Sequence, residues 1–215
     1  MRILICCAVG LLAAGANFAA APSSRPNIVL ILADDLGSED VGAFGHPTVR
    51  TPHLDRLARE GMRFGRAFVT ASSCSPSRSS LLTGRYPHNT DAEELHWPLP
   101  ARQATLLEPL RAAGYWAGAA GKWHLGDEAK SRFDQVREAD PAGFTLAVGA
   151  KAGETKMLTA KGGDAQSGCT DWVPLLRARP RDRAFFVWLA ALDPHRDYEE
   201  KISARPTPLD DVVVP

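Results

Sequence analysis

A chain of 215 residues with 45% apolar content has material for one sizeable core and little more. Lys plus Arg and Asp plus Glu both number 25, so the formal net charge is zero. That balance removes any global electrostatic case for a nucleic-acid partner or an anionic membrane surface; attraction for an anion has to be local to a pocket.

Residues 1–21 read as a secretory signal peptide: Arg2 supplies a basic start, residues 3–16 an apolar stretch, and Ala19-Ala20-Ala21 a small-residue cleavage site before Pro22. The apolar stretch is too short for a membrane span. Residues 22–215 are therefore expected to be exported, to the periplasm or beyond, with no membrane span in the mature chain. Cys6 and Cys7 leave with the signal, and Cys74 and Cys169 remain. In an exported protein these two can pair as a disulfide, or Cys74 can be oxidised for chemistry. The two readings exclude each other, and the second is preferred here.

In chain order, residues 27–33 (NIVLILA) form a continuous apolar run, the pattern of a parallel strand buried on both faces, and it stops at Asp34-Asp35-Leu36-Gly37. Residues 51–61 read as a helix with Thr51 as cap, Pro52 in the first position, Leu54, Leu57 and Ala58 as an apolar stripe, and Gly61 as its stop. Residues 62–69 alternate loosely and are expected to be a second strand, delivering the chain to Cys74. The following stretch, Cys74-Ser75-Pro76-Ser77-Arg78-Ser79-Ser80-Leu81-Leu82-Thr83-Gly84-Arg85, reads as a helix with Ser75 as N-cap, Pro76 first and Gly84 as the terminating glycine. Cys74 then lies just before a helix N-terminus, where free N–H groups and the dipole favour an anion, and Arg78 adds a permanent positive charge.

Residues 86–100 are a polar, proline-bearing loop. Residues 104–113 form a helix in which Pro109 is a local conflict, and residues 115–120 a small-residue strand that hands over to Gly121-Lys122-Trp123-His124-Leu125-Gly126. Residues 127–168 read as loops and short elements, and residues 171–177 as a short helix. Residues 184–192 are a fully apolar strand ending at Asp193-Pro194-His195-Arg196.

Three expected strands thus end directly in polar chemistry, at Asp34/Asp35, Lys122/His124 and His195, and a fourth leads to Cys74. In a parallel sheet all these ends lie along one edge, so an α/β fold with one pocket is the economical expectation. Asp34 and Asp35 suit a hard divalent cation, calcium or magnesium, although two carboxylates alone do not complete its shell. Lys122 and His124 can both donate to a tetrahedral anion, and His124 can move protons. Pro194 constrains the turn that aims His195.

The motif C-x-P-x-R at Cys74–Arg78, with Ser79-Ser80-Leu81-Leu82-Thr83-Gly84-Arg85 after it, resembles the site at which type I sulfatases have a cysteine oxidised to formylglycine. The Asp34-Asp35 strand end, residues 121–126 and residues 193–196 resemble the same family in the same order. Residues 51–55, 72–78, 193–196 and 208–215 are similar more narrowly to its heparan N-sulfatase, or sulfamidase, branch. The resemblance implies an alkaline-phosphatase-like α/β/α sandwich with a mostly parallel central sheet, truncated, with residues 22–215 as the N-terminal portion of the catalytic domain.

It also implies roles. Asp34, Asp35 and the modified Cys74 would bind calcium, or magnesium in its place. Cys74, converted by a formylglycine-generating enzyme and hydrated, would attack sulfur with one hydroxyl and expel sulfate by means of the other. Arg78 would hold the hydrate, while Lys122, His124 and His195 would bind sulfate and assist proton transfer. The substrate implied is a sulfated sugar or other small sulfate ester. The family's later Asp-Asn pair has no counterpart in these 215 residues, so the chain alone is expected to be inactive or very weak. Two other functions are compatible with the residues: a phosphate or phosphonate monoester hydrolase on the same scaffold, and a non-catalytic domain that binds sulfated glycans.

Overall fold

The structure, a computed structural model, describes residues 25–139 and 168–195. The expected signal peptide, residues 140–167 and the chain from Arg196 onward, including the motif at 208–215, lie outside the described residues.

Among the described residues four strands form one fully parallel sheet: β1 (Ile28–Leu32), β2 (Trp116–Gly121), β3 (Gln135–Glu138) and β4 (Phe185–Ala190). Their order is β1-β4-β2-β3, so the last of the described strands is inserted between the first two. Helices α1 (Pro52–Glu60), α2 (Cys74–Thr83), α3 (Leu107–Ala112) and α4 (Trp172–Ala178) connect or flank them.

Strand alternation divides the core in two. Phe186, Trp188 and Ala190 of β4 join Ala117 and Ala119 of β2 on the face that carries Leu82 of α2 and Leu107 of α3. Phe185, Val187 and Leu189 join Trp116 and Ala120 on the other face, against Leu175 of α4. Because β4 is covered on both sides, an uninterrupted apolar sequence is what it requires. β1 departs from expectation. It is an edge strand whose Ile28, Leu30 and Leu32 pack on the core while Val29 and Ile31 remain 49% and 57% exposed.

Residues 62–69 are not a strand. They run irregularly, with Met62, Phe64, Phe68 and Val69 exposed. No neighbouring strand among the described residues offers them a ladder, and loose alternation alone does not make a stable strand. The expected stripe on α1 is likewise exposed at Leu54 and Leu57. β3 was hidden in the stretch read as loops. Its sequence QVRE is short and charged, as suits an outer strand.

Two helices start elsewhere than the sequence suggests. In α2 the N-cap is Ser73, not Ser75, and the helix begins at Cys74. Pro76 then falls third, still within the turn whose N–H groups have no intrahelical partner, so its missing donor costs nothing. α3 starts at Leu107, which places Pro109 third for the same reason. Ahead of it the Glu108 carboxylate accepts from both the backbone N–H and the hydroxyl of Thr105, at 2.7 Å each.

Gly84 closes α2 in the left-handed region at φ 68°, and its N–H donates to Ser80 O at 2.8 Å. A Cβ there would meet nothing within 4 Å, so the cost of adding one is conformational alone. Gly84→Ala is expected to lower unfolding stability by about 1–2 kcal/mol, seen as a lower urea midpoint with an unchanged m-value.

Candidate active site

The sheet register brings the chemistry together. Leu32 and Gly121 both stand opposite Ala190, so β1, β2 and β4 end level with one another. Backbone bonds prolong the ladder past the strands: Ala191 N–H donates to Leu32 O at 2.8 Å, Lys122 N–H to Ala190 O at 2.9 Å, and Asp34 N–H to Asp193 O at 3.0 Å. The close crossing at β2 demands glycine. Gly121 has φ 94°, and a Cβ there would lie 1.8 Å from the Ala190 carbonyl oxygen.

Asp34 is the hub of the site. It is buried, and its two carboxylate oxygens face two buried cations. Oδ1 accepts from Arg78 Nη2 at 3.1 Å, and Oδ2 pairs with Lys122 Nζ. Arg78 reaches it from the first turns of α2 and also donates to the Lys122 carbonyl at 3.2 Å. Lys122 Nζ in turn lies 3.3 Å from Cys74 Sγ. Two cations against one buried carboxylate place positive charge beside the N-terminus of α2. That is the electrostatic setting an anion needs.

Asp35 adopts the left-handed backbone, φ 57°. Its Oδ2 lies 3.6 Å from His195 Nε2. Asp34, Cys74 and His195 each place one ligand atom within 4.8 Å of the others. With Asp35 adjacent, this donor set fits part of a cation's shell. It offers fewer ligands than the six to eight oxygens that calcium takes, and thiol sulfur is a soft donor for a hard ion; an oxygen at position 74 suits calcium better. No disulfide joins Cys74 to Cys169, so that alternative is not formed.

His124 is buried and also left-handed, at φ 60°. Burial first, then the charge of Lys122, pushes its imidazole down to about 3, so it is neutral near pH 7. Its Nε2 lies 2.5 Å from Nδ1 of His96, the two rings tilted with centroids 4.7 Å apart. His96 was not singled out in the sequence. It lies in the loop of residues 86–100, 28 positions from His124, and a lone loop histidine carries no spacing signal. Ser75, expected as a cap, instead anchors this loop: its hydroxyl accepts the His96 N–H at 2.7 Å.

The candidate residues thus lie at one sheet edge, with Cys74 supplied by a helix start. The sulfatase family model matches residues 26–207. Arylsulfatase A of Bos taurus is 50% identical over 121 residues, covering 54% of this chain and 24% of that protein. A solved structure of BT4656 in complex with its substrate D-glucosamine-2-N,6-O-disulfate has the same fold, with a TM-score of 0.63 at 23% identity over 82% of this chain and 36% of the other. The phosphonate monoester hydrolase of Agrobacterium radiobacter gives a TM-score of 0.61 at 25% identity, over 80% and 42% of the two chains. The chain spans about a quarter of the length of the curated relatives it matches. Its parallel sheet with helices on both faces is the alkaline-phosphatase-like α/β/α architecture. The family match extends over most of the sequence, and on that ground the chain belongs to the sulfatase family.

Proposed function

We propose that this protein hydrolyses sulfuric esters or sulfamates of sugars at the pocket between the strand ends of β1, β2 and β4 and the start of α2. The observation that carries the reading is Cys74, at a helix N-terminus, 3.3 Å from a lysine that shares a buried aspartate with Arg78. In this proposal Cys74 is converted to formylglycine, whose hydrate supplies an oxygen nucleophile at neutral pH. Asp34, Asp35 and the oxygen at position 74 hold calcium, or magnesium, which adds positive charge beside the sulfuryl oxygens.

The remaining steps belong to the side chains. Arg78, fixed by Asp34 and the Lys122 carbonyl, keeps its charge on the nucleophile's side of the pocket. Lys122 donates to a sulfuryl oxygen, for which it must exchange part of its pairing with Asp34. His124, neutral, binds the anion as an N–H donor, and His195, at the open side beside Asp35, protonates the leaving oxygen or nitrogen. Export by way of residues 1–21 and maturation by a formylglycine-generating enzyme complete the proposal. No helix among the described residues is long and apolar enough to cross a membrane.

A phosphate or phosphonate monoester is the second reading, favoured by the likeness in fold to the phosphonate monoester hydrolase. The two are separated by assaying the Cys74-oxidised protein with paired aryl sulfate and aryl phosphate substrates in calcium. Sulfate release that exceeds phosphate release and stops on chelation is expected, slow for these 215 residues alone. Phosphate release that exceeds sulfate release would replace the first reading with the second.

A further inference from the structure

Sulfate binding needs a histidine whose proton is on the correct nitrogen, and His124 has a neighbour able to decide that. Near pH 7 the buried His124 is neutral, and burial together with Lys122 also lowers His96. Two neutral imidazoles with nitrogens 2.5 Å apart share one hydrogen: one ring must donate and the other accept. Fixing the proton on one nitrogen of His124 fixes what its other nitrogen presents.

His96 is held in place for this in two further ways. Its backbone N–H is bound at 2.7 Å by the hydroxyl of Ser75, a fully buried residue next to Cys74. Its backbone is left-handed, φ 71°, a conformation that residues with a side chain adopt uncommonly. Only four non-glycine residues among those described have positive φ, and Asp35, His96 and His124 are three of them. Strain of this kind persists where the surroundings impose it, and here it gathers around one pocket.

We propose that His96 is a positioning residue of the active site: through its Nδ1 it orients the His124 ring and selects the tautomer in which His124 meets the substrate's anionic group. It acts through His124 and is not assigned contact with the reacting atoms.

The tautomer is measured directly by nitrogen NMR of the histidine-labelled chain, which does not depend on sulfatase activity. His96→Phe keeps a ring of similar size with no nitrogen. His96→Asn places an amide, able to donate or accept, near the position of Nδ1. In the unsubstituted protein His124 is expected as one tautomer. The Phe variant is expected to shift its nitrogen signals toward a mixture or the other tautomer, and the Asn variant to preserve them. Signals left in place by His96→Phe would overturn the proposal, since ring volume alone would then explain the residue. If the Phe variant does not fold, the Asn variant decides: preserved signals support the proposal, and altered ones overturn it. A second arm, which rests on the proposed function, is sulfate release, expected to fall about 10- to 100-fold with Phe at unchanged KM and to recover with Asn.

Discussion

Replacing Asp34 by alanine is expected to remove about 3–5 kcal/mol of unfolding free energy, whatever the protein's activity. The size follows from what the carboxylate leaves behind. Arg78 and Lys122 are both buried, and each points a charged nitrogen at one of its oxygens. Without it two like charges lose the carboxylate they share, and both side chains stay buried. Lysine can escape part of the penalty by giving up its proton, which arginine does not do. Asp34→Asn keeps the volume and one acceptor, so its cost should be smaller than that of alanine. Adding Lys122→Met to Asp34→Ala should restore part of the loss, because the second substitution removes a stranded charge; strict additivity of the two in urea unfolding would show that the pair is not coupled. The same geometry bears on the proposed cation. Oδ2 of Asp34 is held by Lys122, so a dication bound there would compete with that ammonium for one oxygen.

Much of this site was legible because strand ends announce themselves. Where an apolar run such as residues 184–192 breaks into polar residues, the chain leaves a buried strand at the sheet edge. Parallel strands collect such exits on one side. The order β1-β4-β2-β3 was not legible, since nothing local states that β4 passes between β1 and β2. β3 escaped for the opposite reason to β4: an outer strand can afford charge, and four residues of QVRE carry no period. Residues 62–69 misled because alternation was present without a partner strand. Ser75 misled because a serine directly before Pro76 fits a cap as well as it fits its actual task, binding the loop that bears His96. His96 itself was beyond sequence reasoning. Its meaning comes from a contact across 28 positions and from a backbone angle, and neither has a local signature.

Cys74→Ala is expected to abolish sulfate release, by about 10⁴-fold or more, because it removes the side chain proposed to supply the attacking atom and leaves its neighbours in place. Serine at the same position separates two functions of the modified side chain. It offers one hydroxyl within reach of Lys122, whose Nζ lies 3.3 Å from the present sulfur. That hydroxyl can form one oxygen–sulfur bond as the bond from sulfur to the sugar oxygen or nitrogen breaks, the released group taking a proton. It has no second oxygen with which to expel the sulfate. Cys74→Ser should therefore take up a single sulfuryl group and stop, and intact-protein mass spectrometry should find the added group while steady-state release is lost. Before either variant is made, the unsubstituted protein from a host with a formylglycine-generating enzyme should be lighter at position 74 by the difference between a CH₂SH and a CHO group. A protein that keeps its thiol there and still releases sulfate at full rate would show that the nucleophile lies elsewhere. Asp34, Arg78 and Lys122 would then be left as a structural triad.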